Sequence, residues 1–85
     1  MTVETTTAAR PLYTIADDIR KHWPKPYFGA MPYINAMACL GSIKDDYGRD
    51  SAKAIVLYFL SNASSWRGTK AREIKAELKA IAGVR

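Results

Sequence analysis

The chain has 85 residues, 48% of them hydrophobic, and a formal net charge of +5. That length gives one domain with one core and a thin stability margin. Cys39 is the only cysteine and His22 the only histidine, which excludes an intrachain disulfide and argues against a zinc site.

Residues 1–11 are rich in Thr and Ala, offer little to bury, and read as a disordered tail ahead of a single helical domain at 12–85. A first helix is predicted over 14–23. Thr14 would be its N-cap, and Asp17 and Asp18 would sit in its first turn, where they complement the helix dipole. Ile15, Ala16, Ile19 and Trp23 share one face, Asp17 can pair with Lys21, and Pro24 stops the helix. A turn-rich connector, 24–32, carries Tyr27 and Phe28 among prolines. Pro32 suits the first turn of a second helix over 31–40, and Gly41 suits its end. Only Asn35 is clearly polar in that helix, so it should be buried nearly all round.

Residues 41–50 read as a loop with room for one helical turn at Ser42–Tyr47. Asp50 or Ser51 then caps a third helix over 51–65, whose run Ala54-Ile55-Val56-Leu57-Tyr58-Phe59-Leu60 is the centre of the core. A buried strand competes for 54–60, because Ile, Val, Tyr and Phe favour strands. Helix is preferred, since a cap precedes the run and no second strand exists to pair with it. Ala52, Ile55, Val56, Phe59, Ala63 and Trp66 make its apolar face, with Leu57 outside that face beside Lys53, Ser61 and Ser64. Arg67-Gly68 breaks the chain, and Thr69 can cap a last helix over 69–82. Ala71, Ile74, Leu78 and Ile81 would form its buried stripe, and Gly83 its end. The fold class is all-α, a compact four-helix domain with the second and third helices as the central pair.

Catalysis is not expected. Most carboxylates have simpler tasks as caps and dipole partners, His22 has no evident carboxylate orienter, and a Cys39–His22 dyad has no supporting motif. Asp45-Asp46-Tyr47-Gly48-Arg49-Asp50 resembles a calcium loop only in being acidic; its Asp spacing is wrong and the bidentate Glu is missing. No cofactor or metal is therefore expected. Cys39 reads as a small buried hydrophobe in a reducing compartment. Acidic Glu4 and the lack of an early apolar run argue against a signal peptide, and the 54–60 run is far too short for a membrane span. A cytoplasmic protein is expected.

Two surfaces suggest binding. In the last helix Arg72, Lys75 and Lys79 lie along one flank, Glu73 and Glu77 on the far side, so like charges fall at i,i+4. Each such pair costs about 0.2–0.5 kcal/mol, and a helix selected for stability alone would pair the signs instead. Arg67 and Lys70 add positive charge at the helix entrance, where the dipole disfavours it. The stripe suits an acidic protein surface or phosphate; the plainer reading is a solvated face. The last two helices loosely resemble a helix-turn-helix, but the second lacks Asn, Gln or Ser side chains that commonly read bases. The other surface is 23–33, with Trp23, Tyr27, Phe28 and Tyr33 among three prolines and Met31. Rigid backbone with large rings is the composition of interface hot spots, although Tyr27 and Phe28 could instead plug the gap between the first two helices. Leu57, Trp66 and Arg67 are further contact candidates, Trp66 being also a natural core residue.

Residues Pro26-Tyr27-Phe28-Gly29-Ala30-Met31-Pro32-Tyr33, Asp50-Ser51-Ala52-Lys53, Leu57-Tyr58-Phe59-Leu60-Ser61-Asn62-Ala63-Ser64 and Trp66-Arg67-Gly68 resemble those of a group of short proteins encoded by phages of actinobacteria. The resemblance spans roughly 26–82 and carries no functional residue. It implies only a phage accessory protein acting inside the bacterial host, and such proteins often work by binding a host or phage macromolecule. With no catalytic motif in the chain, the expected function is non-enzymatic binding of a host or phage protein. The alternative is a basic helical DNA- or RNA-binding protein using the last helix. Two apolar helices are hard to cover in so short a chain, so a homodimer through Leu57 or the 27–33 segment is also expected.

Overall fold

The computed structural model describes residues 10–83. Among the described residues four helices, α1 Leu12–His22, α2 Met31–Met37, α3 Ala52–Ser61 and α4 Thr69–Ala82, enclose one core. A 3-10 turn, Phe28–Ala30, leads directly into α2. A two-stranded antiparallel ribbon, β1 Asp46–Tyr47 and β2 Asp50–Ser51, leads into α3. Helices α2 and α3 pack most extensively, and α1 and α4 close over them, as the apolar patterning requires. The core runs from Leu12, Ile15 and Ile19 through Ile34 and Met37 to Val56, Phe59, Ile74 and Leu78. The 54–60 run is helical throughout.

Local signals place some ends correctly. Ser51 caps α3, its Oγ accepting from the Ala54 N–H at 3.1 Å. Pro32 sits in the first turn of α2, and Gly83 ends α4 at φ 77°. Other ends depart from expectation. Helix α1 begins at Leu12, two residues early, with Pro11 rather than Thr14 at the cap position. The Tyr13 N–H donates to the Leu40 carbonyl at 2.9 Å and the Leu12 N–H to Gly41 at 3.3 Å. Carbonyls beyond the end of α2 thus satisfy donors that a side-chain cap would otherwise take. Asp17 and Asp18 consequently lie beyond the first turn and act as pairing groups. At α4 the cap position is Gly68, at φ 110°, and Thr69 is the first helical residue.

Helix α2 stops at Met37 rather than near residue 40, and α3 at Ser61 rather than 65. At the end of α3 the Asn62 Nδ2 donates back to the Tyr58 carbonyl at 2.8 Å and Ser61 Oγ to Leu57 at 3.1 Å. Side-chain competition for backbone acceptors favours termination there. The following turn folds Ala63 and Trp66 back into the core.

The 41–51 segment is not helical. Asp45 Oδ2 accepts from the Gly41 and Ser42 N–H groups, both at 3.0 Å, and the Asp45 carbonyl accepts from Ala52 N–H at 2.8 Å. Gly48 adopts φ 61° in a two-residue Gly48-Arg49 loop, the conformation glycine reaches without strain in a tight hairpin. Asp45 is thus a turn organiser, and no group of three His, Cys, Asp or Glu side chains suited to a metal occurs among the described residues. Of the sequence-predicted tail, residues 1–9 lie outside the described residues. Arg10 belongs to the folded domain: its guanidinium contacts Glu77 of α4 and Asp18 of α1. Cys39 is exposed rather than buried, its Sγ directed at the Asn35 carbonyl at 3.6 Å, because α2 has already ended when the chain reaches it. No described helix is long and apolar enough to cross a membrane.

Candidate functional site

The aromatic rings of the connector between α1 and α2, Tyr27 and Phe28, do not plug the core. The connector's small residue Ala30 does that, being fully buried, while Phe28 is 77% exposed and Tyr27 47%. The two rings lean on one another at 5.0 Å between centroids. Tyr27 also folds across Gly29, beside Asn62 at the end of α3. A Cβ on Gly29 would lie 2.5 Å from Tyr27 Cε2 and 2.9 Å from Asn62 Oδ1. Farther along, Tyr33 of α2 packs against the half-exposed Tyr58 of α3 at 5.5 Å. Tyr27 and Phe28 thus form one exposed aromatic pair and Tyr33 and Tyr58 a second, while Met31, also exposed, lies on the other side of α2. Helix α2, apolar on most sides, leaves Met31 and Pro32 facing solvent, contrary to the expectation that it is buried nearly all round.

Next to Met31 a cleft of about 230 Å³ opens between the end of α1 and the start of α2. Buried Trp23 and Ile34 form its base, and Pro24, Pro26 and Met31 form its sides. At its mouth Arg20 Nη2 donates to Asn35 Oδ1 at 2.6 Å. Trp23 cannot swing inward. It stacks on Trp66 at 5.3 Å with planes 6° apart and meets Phe59 edge-on at 6.3 Å.

Trp66 is therefore a core residue and not a contact residue. It is 4% exposed, and its Nε1–H donates to the His22 carbonyl at 3.3 Å, binding the α3–α4 turn to the end of α1. Leu57 is half-buried against the core rather than a free apolar contact. Arg67, Arg72 and Lys79 are exposed. Lys75 is half-buried and its ammonium donates to the Trp66 carbonyl. Burial pushes the Lys75 pKa down, and the charges of Lys79 and Arg67 add to that effect. Among the described residues none of Arg67, Arg72, Lys75 or Lys79 has an ion-pair partner.

The opposite flank of α4 carries the charges that the sequence could not pair. Arg10 Nε donates to Glu77 Oε2 at 2.9 Å and Nη2 to Oε1 at 2.7 Å, a two-pronged contact that holds the guanidinium pKa above its ordinary value. Asp18 receives Arg10 at 3.2 Å and Lys70 at 3.6 Å, and His22 Nδ1 lies 3.3 Å from its other oxygen. Desolvation would raise the Asp18 pKa, but the Arg10 hydrogen bond and the charges of Lys70, Arg10 and His22 outweigh it and hold it low. His22 thus has a carboxylate neighbour after all, four residues earlier on its own helix; the i,i+4 spacing was the available signal. It is turned to Asp18, and no hydrogen bond joins it to Cys39 among the described residues.

The chain matches no family model, no curated protein and no solved structure.

Proposed function

We propose that this domain is a non-enzymatic protein-binding module whose contact surface centres on the exposed Tyr27–Phe28 pair, with the Tyr33–Tyr58 pair as a second aromatic contact. The observation that carries this reading is Phe28, 77% exposed while the core beneath it is complete. An aromatic side chain left in water forgoes about 1.5–3 kcal/mol of burial, which a partner can supply. Pro24, Pro26 and Pro32 restrict the backbone that presents it, so little ordering entropy opposes docking. In the setting that the resemblance to actinobacterial phage proteins implies, the partner is a host or phage protein inside the cell. The cations Arg67, Arg72 and Lys79 favour one with an acidic surface.

A photo-crosslinking phenylalanine analogue at position 28, incorporated in cells that make the protein, tests this. A discrete adduct that resists nuclease and is absent when the analogue replaces Lys53 supports the reading. An adduct of twice the chain's own mass assigns the surface to self-association, and no adduct at all overturns the proposal.

The exposed cations Arg67, Arg72 and Lys79, without ion-pair partners among the described residues, favour a second reading, contact with nucleic acid backbone. With Trp66 buried the cluster lacks an aromatic platform for bases, so such binding would be sequence-independent and strongly salt-sensitive. A gel-shift titration at two salt concentrations separates the readings; no shift at low salt removes this one.

A further inference from the structure

We infer that the cleft between α1 and α2 receives one bulky apolar side chain of a peptide that carries an Asp or Glu next to it, an inference that rests on the protein-binding reading and specifies its ligand. Small-molecule sites usually enclose about 300–1,000 Å³. At about 230 Å³ this cleft suits a single large side chain better than a whole metabolite. Its base is apolar and preformed. Trp23 is clamped between Trp66 and Phe59, and Ile34 is fixed in the core. Pro24 and Pro26 stiffen one side, so the cleft neither collapses nor needs to be ordered on binding.

The mouth specifies the charge. The hydrogen bond to Asn35 spends one guanidinium donor and orients Arg20 over the opening. Among the described residues Arg20 has no carboxylate partner, and none of the residues lining the cleft is acidic. Exposed Lys25, between the two prolines, adds a second cation. A planar guanidinium fixed on one side offers its remaining donors to a carboxylate in a two-pronged geometry. An apolar anchor with a neighbouring acid satisfies both the base and the mouth. A basic peptide would meet uncompensated repulsion.

Selection of displayed random peptides on the full chain tests the inference. Enriched sequences should place Phe, Leu or Trp beside Asp or Glu, and the synthetic peptides should alter tryptophan emission, since Trp23 forms the base of the cleft. Arg20→Gln and Met31→Asp each should weaken these peptides about tenfold or more, the loss expected for a charge-assisted contact or an apolar wall. Lys53→Glu, at an exposed position outside the cleft, should leave them unchanged. Arg20 and Met31 are exposed, and unchanged melting of both variants confirms that the fold survives. Enrichment of basic or purely polar peptides overturns the inference, as does a failure to enrich any. Peptides that lose affinity with Phe28→Ser but not with Arg20→Gln or Met31→Asp also overturn it, while leaving the aromatic surface as the protein-binding face.

Discussion

At the scale of single residues, small groups decide where the chain turns. Ser51 supplies the one side-chain cap of α3, so Ser51→Ala should lower unfolding free energy by about 1 kcal/mol in a urea titration. Gly29 matters for a different reason: its missing side chain is the space into which the Tyr27 ring folds. Tyr27 is half-exposed and can swing away, but Asn62 Oδ1, 2.9 Å from the same position, sits on an amide held by the Tyr58 carbonyl, so Gly29→Ala should cost about 1–3 kcal/mol. The substitution should also displace Tyr27 and reduce crosslinking from position 28, an outcome that thermal melting combined with the crosslinking yield can resolve. Phe28→Ser provides the complementary case. Because Phe28 contributes little to the core, its replacement should change stability by less than about 0.5 kcal/mol. A loss of several times that amount would show that the ring supports the fold, and the contact surface would lose its central residue.

Between elements, two clusters join the ends of the chain to its middle. The Trp23–Trp66–Phe59 cluster ties α1 to α3 and to the turn before α4. Trp66→Ala should cost about 3–5 kcal/mol, a large share of what so small a domain has, and calorimetry should show a collapsed transition. The second cluster is ionic: Arg10, Asp18, Lys70 and Glu77 link α1 and α4, with His22 Nδ1 beside Asp18. Its Asp18 titrates below the usual carboxylate value, so the folded form holds its proton less tightly than the unfolded chain. Stability from this source is complete above about pH 4, where unfolded Asp ionises, and is lost as pH falls through the lower folded value. Asp18→Asn should therefore flatten the acid limb of a stability-against-pH profile, and a profile unchanged by the substitution would contradict the linkage. Charge reversal on α4 should use Arg72 and Lys79 rather than Lys75, whose ammonium is committed to the Trp66 carbonyl.

Across the whole molecule, the four-helix architecture was legible because the apolar stripes of Ile15/Ile19, Val56/Phe59 and Ile74/Leu78 repeat with helical spacing, and all six side chains are buried. The tight hairpin at Gly48 was not, because two short polar strands leave no alternating pattern to read. Sorted charge on α4 proved partly structural: Glu77 and Lys70 pair across to Arg10 and Asp18, at separations that no local i,i+4 rule can detect. What remains exposed and without an ion-pair partner among the described residues, Arg67, Arg72 and Lys79, is the part of that stripe available to a partner. The cleft above Trp23 had no local signature, since its lining comes from two segments that only packing brings together.

The sequence by itself determined the existence of the helices, the main buried faces of α1, α3 and α4, the Pro32 entry and the Gly83 exit, because each follows from contacts within a few residues; of the two candidate caps for α3, Asp50 and Ser51, the structure selected Ser51. Only the tertiary structure decided that Trp66 is core while Phe28 is not, that Arg10 anchors α4, and that Leu40 and Gly41 carbonyls start α1. Composition made both aromatics eligible for burial. The space under α1 is filled by the stacked pair of indoles and, at the connector, by the methyl group of Ala30, and that volume exists only after the helices have met.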